Sequence, residues 1–160
     1  MSLPDESQIS APRLDAKGDL RKSADYPGWV VLSLKHGAWA PVCLIVVHAI
    51  LLFGLDAYER LPPIDIPMHF FGGVSAAYFL RCAASAASEC RVGPRLASTT
   101  RDRLVFVAVF GITILWEIGE FLWDRNFGTH LQHGARDTLG DMTIGVLGAA
   151  TLLFCKSRTV

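Results

Sequence analysis

The four cysteines of this 160-residue sequence, Cys43, Cys82, Cys90 and Cys155, form no CxxC pair and no other metal-ligand spacing, which argues against a thiolate site. No basic stripe with interleaved aromatics is present, so nucleic-acid binding is not expected. Neither charge sign is in excess, with 15 Lys and Arg against 15 Asp and Glu. The first 28 residues lack an apolar core of the kind a signal peptide needs, and none is expected. No internal repeat is visible.

What the sequence does have is apolar length. Hydrophobic residues make up 51% of the chain, and charge crowds into the N-terminal region and the connections. Residues 1–28 are polar and carry Pro4, Pro12 and Pro27, which predicts a flexible cytoplasmic tail, with a short helix near 14–22. Residues 29–160 then read as one transmembrane domain. Its spans are expected at about 37–55, 65–84, 104–123 and 137–155, each close to the roughly 20 residues that cross a bilayer. Trp29 and Trp39 suit the headgroup level, and Arg81 can snorkel outward. A buried soluble helix is the plain alternative for any one segment; four in so short a chain favour the membrane. The fold class expected is all-α, a four-helix transmembrane bundle.

Loop charge sets the expected orientation. Basic residues cluster before the first span, at 85–103 and after the fourth span, where Lys156 and Arg158 close the chain. The positive-inside rule then gives an N-in, C-in protein of the inner membrane. All four cysteines fall in its cytoplasmic half, where thiols stay reduced. The same topology sets every intramembrane acid and histidine at one depth, in the outer leaflet.

Those residues concentrate in residues 116–141, WEIGEFLWDRNFGTHLQHGARDTLGD, with five acids and two histidines. Glu117, Glu120 and Asp124 follow i, i+3, i+7 spacing and share a helix face, as do Asp137 and Asp141 at i, i+4. On the second span Asp65, His69, Gly72 and Ala76 run i, i+4, i+7, i+11, two polar residues followed by two small ones. Small residues there, and Gly145 and Gly148 on the fourth span, predict close helix packing. A charge deep in a bilayer costs roughly 2.5–3.5 kcal/mol on insertion scales, so such residues usually have a role.

Asp65, His69, Glu117, Glu120, Asp137 and Asp141 could therefore surround one cavity. Several carboxylates sharing a low-dielectric site need neutralising, by protons, by arginines such as Arg125 and Arg136, or by a metal. A metal is the most economical account, and an oxygen and nitrogen donor set suits Zn, Mn or Fe. The expected ligands are His69, Glu117, Glu120 and Asp141, with Asp65 or Asp137 as a base. Each residue also has a plain reading. Glu117 and Glu120 could end an interfacial helix, and Asp137 could be a helix N-terminal acid favoured by the dipole. His48 reads as a hydrogen-bonded bundle residue, His130 and His133 as solvated loop residues, and Trp116 and Trp123 as interface anchors.

The segments DIPMHFFGG (65–73), WEIGEFLWD (116–124), FGTHLQ (127–132) and DTLGDMTIGVLGA (137–149) resemble the YjdF-like family of small bacterial inner-membrane proteins. A more distant similarity is to VanZ-like membrane proteins. The resemblance implies a polytopic helical membrane protein and marks Asp65, His69, Glu117, Glu120, Asp124, Asp137 and Asp141 as motif positions. It implies no reaction. Three functions stay open at this point. One is a metal-dependent hydrolase acting on a lipid-linked or envelope substrate. Another is a small proton- or cation-coupled transporter. The third is a non-catalytic scaffold whose acids only fix helix pairing. Membrane lipid is the one partner expected.

Overall fold

The computed structural model describes residues 23–129 and 131–155, all of them helix or connection, with no strand among them. The helix expected near 14–22, His130, Lys156 and Arg158 lie outside the described residues. Helix α1 spans Tyr26–Gly37 and begins inside the expected tail. The Asp25 carboxylate accepts the Gly28 amide at 2.9 Å and Pro27 stands in the first turn, a strong local start signal. Helix α2 spans Trp39–Ala49 and runs on into a π-helical turn, Ile50–Gly54.

The axes of α1 and of α2 with its π turn meet at 54°. Pro41 accounts for the break. It has no N–H for the Gly37 carbonyl, and its ring crowds that carbonyl. The first span, expected at 37–55, is thus part of a bent pair covering residues 26–54. A short connection follows, with α3 at Ala57–Arg60 and a 3-10 turn at Pro62–Ile64. The remaining helices are α4 (Asp65–Glu89), α5 (Ser98–Phe127) and α6 (Ala135–Cys155).

Helices α5 and α6 are long and apolar enough to cross a membrane, with peak mean hydropathies of 1.9 and 1.5. The bent α1–α2 pair qualifies as a third candidate, as a broken span or a re-entrant loop. Helix α4 has the length but does not qualify, because Asp65, His69, Arg81 and Glu89 dilute its hydropathy. Its position explains why that composition is tolerated. Helices α1, α2, α5 and α6 all pack on α4, so it needs no apolar perimeter of its own.

The outside of the molecule is oily: Val107, Leu115, Leu147 and Phe154 are all more than half exposed. A soluble bundle would hide such residues, and a bilayer accepts them. The small core lies between α4, α5 and α6, with Ala77, Val105, Val109, Ala149 and Leu153. Near its basic end Arg81 turns inward rather than outward: its guanidinium lies 3.6 Å from Asp102, which Arg101 also approaches at 3.3 Å.

Helices α4 and α6 cross at glycine. A Cβ on Gly73 would collide with the Gly145 carbonyl, and one on Gly148 with the Phe70 carbonyl. Contact on α4 is therefore made by Gly73 and Ala77, one residue along from the expected Gly72 and Ala76. The expectation for Gly145 and Gly148 agrees with this crossing; both are buried.

Candidate metal centre

The expected face Asp65, His69, Gly72, Ala76 borders a cavity, and its Ala76 also packs against the small core. All four residues line a space of about 210 Å3 between α2, α4 and α5. Leu44 and Ile45 of α2 and Val109 and Ile112 of α5 complete much of its apolar wall. Ser75 and Thr113 also line it, and its ionisable groups, Asp65, His69, His48 and Glu120, gather at one end. That end carries the 56–64 connection and the 128–134 loop.

His69 is the centre of the cluster, with its side chain 8% exposed. Its Nε2 lies 3.3 Å from Asp65 Oδ1, one turn earlier on α4, and its Nδ1 lies 3.8 Å from Glu117 Oε1 on α5. Two sets of donor atoms each fit within 4.8 Å of one another: Asp65, His69 and Asp141, and His69, Glu117 and Glu120. Three helices thus bring four carboxylates and one imidazole together. Glu117 and Asp141 are buried, at 4% and 7% exposure.

Each carboxylate is held differently. Glu120 Oε1 accepts the Trp116 indole N–H at 2.8 Å. The Glu117 backbone carbonyl accepts the Gln132 side-chain amide at 3.2 Å, and its Oε2 is 3.5 Å from the same nitrogen. Glu117 Oε1, although buried, has no hydrogen-bond partner. An orphaned buried carboxylate oxygen carries a desolvation cost of about 1–3 kcal/mol or more, since the group is charged. It faces His69 Nδ1, so a cation between them would satisfy both.

No ion pair joins a cluster carboxylate to an arginine or lysine among the described residues. Arg125 and Arg136, expected as possible neutralising partners, are exposed. Asp137 lies apart from both donor sets. Its Oδ2 accepts the His133 amide at 3.1 Å and lies 3.5 Å from the His133 ring, in an exposed setting. Asp141, one turn deeper, is in the cluster.

Two features of the surroundings were not legible in the residue pattern. Asp124 shares the Glu117 and Glu120 face but organises the loop: its carboxylate accepts from Thr129 Oγ1 at 2.6 Å and from the Leu131 and Gln132 amides at 3.0 and 2.9 Å. This turn, opened by Gly128 in the left-handed region at φ 66°, delivers Gln132 to Glu117. Tyr58 is the other. It is 9% exposed inside a short connection, and its hydroxyl lies 2.6 Å from His48 Nδ1. Burial pushes the Tyr58 hydroxyl above its ordinary range, with Asp65 and Glu120 adding to the effect, so it keeps its proton and can donate to His48. His48 is thus the hydrogen-bonded residue expected, set edge-on to the Trp116 ring.

A family model described as a predicted membrane protein, DUF2238, matches residues 30–159 and so takes in α1 and α2 as well as the motif-bearing helices. No curated protein and no solved structure matches the chain.

Proposed function

This chain belongs to the DUF2238 family of predicted membrane proteins, and on that premise we propose that its acid and histidine cluster binds a divalent cation for hydrolysis of a lipid-linked or envelope substrate. The observation that carries this reading is the buried, unpartnered Glu117 Oε1 facing His69 Nδ1 at 3.8 Å. Charge supports it, since four carboxylates share the cluster with a single imidazole. Two donors each about 2.1 Å from one tetrahedral ion lie roughly 3.4 Å apart, close to this spacing.

His69 Nδ1, Glu117 and Glu120 would hold the cation. Asp65 accepts from the opposite ring nitrogen and so fixes the tautomer and orientation of the imidazole. Asp141, which shares a donor set with Asp65 and His69, would add negative charge to the site. A bound divalent cation supplies an activated water and polarises the scissile group. Asp65, which lines the cavity together with Glu120, would take a proton from water attacking an ester or phosphoester and return it to the leaving alcohol oxygen. The donor set suits Zn, Mn or Fe.

The proposed setting is a four-span bundle with both termini inside an inner membrane, the bent α1–α2 pair as first span and α4 as second. The cluster then faces the outer leaflet. Support comes from loop charge and from the motif resemblance noted above.

A second reading is proton or cation transfer. What favours it is that both ring nitrogens of His69 face carboxylates, an arrangement that also suits an imidazolium relay. Elemental analysis and thermal unfolding of the purified protein beside Glu117→Gln separate the two. The metal reading expects about one bound ion per chain, lost in the variant. It also expects a destabilisation that vanishes once both proteins are chelated, because only the native state binds the ion. Stabilisation of the variant with and without chelator means relief of carboxylate repulsion, and supports the relay instead.

A further inference from the structure

The cavity has the polarity of a membrane amphiphile. Its acid and histidine groups lie at one end, and beyond His69 the wall runs along α4 to Ala76, roughly 10 Å at 1.5 Å per residue, with the Ser75 and Thr113 hydroxyls that also line it turned back onto the Gly72 and Phe110 carbonyls. Gly72 makes room there. A Cβ on Gly72 would meet only Leu44 Cδ2, at 3.8 Å, so the missing side chain is not demanded by a neighbouring helix. Of the two small residues that read as helix packing in the sequence, Ala76 packs against the core and Gly72 leaves room beside α2.

The cavity has a way in from the side. A groove of about 370 Å3 lies between the end of α2, its π turn and α5, and shares His48, Ile45, Trp116 and Glu120 with the cavity. Among the described residues α2 and α5 share no extensive packing. They meet across the groove through the His48–Trp116 and Phe53–Trp123 rings, with centroids 5.3 and 6.1 Å apart. Leu115, Phe53 and Trp123 border it and are exposed. On the outer surface of a membrane-spanning bundle, such a groove opens onto acyl chains.

Resting on the metal-site reading above, we infer that the cavity holds one acyl chain of a bilayer phospholipid, admitted between α2 and α5, with its ester and headgroup at the His69 cluster. The substrate class is then a glycerophospholipid, and the bond presented to the site is an ester or phosphoester. Gly72, Ala76 and Ile112 determine how much chain fits.

The test uses the full chain in phosphatidylglycerol nanodiscs doped with a phosphatidylglycerol that carries a diazirine midway along one acyl chain. After photolysis, adducts are mapped by peptide mass spectrometry. Adducts on Leu44, Ile45 and Val109 are expected, lost in Ala76→Leu and in Ile112→Trp, with bound metal and adducts on outward-facing Leu147 unchanged. Ile112→Trp narrows the cavity from α5, so the result does not depend on Ala76→Leu folding. Equal cavity labelling in both variants, or labelling confined to outward residues, overturns the inference while leaving the metal reading intact. Cavity labelling in a protein without metal removes the metal reading and leaves the chain site. Displacement of the adducts by equimolar undecaprenyl phosphate would reassign the cavity to a polyprenyl chain and overturn the acyl assignment.

Discussion

The Nδ1 of His69 and the Oε1 of Glu117 face each other at 3.8 Å across the α4–α5 interface, and the carboxylate oxygen has no hydrogen-bond partner. Residues 48 positions apart in the chain thus share one unsatisfied space. A double-mutant cycle with His69→Ala and Glu117→Gln should give a coupling of about 0.5–3 kcal/mol in metal-loaded protein. Additive effects on thermal stability would show that the two side chains act separately.

The glycines at and beside the α4–α6 crossing make a sharper test, because neighbours should behave differently. Gly73→Ala and Gly148→Ala each drive a Cβ into a backbone carbonyl of the facing helix, which cannot swing aside as a side chain can. Each should cost about 3 kcal/mol, the upper end of overpacking effects, and lower the yield of folded protein. Gly72→Ala enters ordinary contact distance and should be tolerated. Equal tolerance at positions 72 and 73, read from detergent melting curves, would reject this assignment of faces.

Asp124 should be worth more to the loop than to the metal. Asp124→Ala removes the acceptor for the Leu131 and Gln132 amides, at about 1–3 kcal/mol for the groups left unpaired. Faster hydrogen exchange at those two amides is the direct readout. Metal content should fall less than in Glu117→Gln, because the Asp124 carboxylate is engaged by Thr129 and the Leu131 and Gln132 amides.

Orientation is open to labelling with an impermeant thiol reagent. Gly128 is a poor site for a reporter, since its φ of 66° strains any side chain. Ala135 and Ser98 are exposed and lie at opposite ends of the bundle. In a cysteine-free background, Ala135→Cys should label from outside intact cells and Ser98→Cys only after permeabilisation. Labelling of both from one side would remove the outer-leaflet placement of the cluster.

Much of the site could be read from spacing. Helical periodicity put Asp65 with His69 and Glu117 with Glu120, and antiparallel connections brought those pairs to one end. Periodicity cannot say which face of a wholly helical segment meets which neighbour. The Gly72–Ala76 and Gly73–Ala77 faces are offset by one residue, about 100° around the helix, and both carry small side chains. Here the first borders a cavity and the second packs against α6. Gln132 is neutral and lies in a loop, where no period marks it. Tyr58 sits in a short connection of Asp, Glu and Pro, where no helical period marks it. The break at Ala38 did leave a trace: Pro41 stands four residues after Gly37, and a proline there forbids a straight helix.

The glycine crossing also works as a fulcrum. His69 stands four residues before Gly73 on α4, and Asp141 four residues before Gly145 on α6, so both donors ride on arms of roughly 6 Å from the pivot. A tilt of about 5° between the two helices displaces such an arm's end by only about 0.5 Å, the tolerance a ligand site allows. Short arms on this pivot hold His69 and Asp141 in register, while Glu117 and Glu120 ride separately on α5. The same leverage means that prying the crossing apart, by a larger residue or a compressed membrane, would disassemble the cluster from a distance without touching any residue in it.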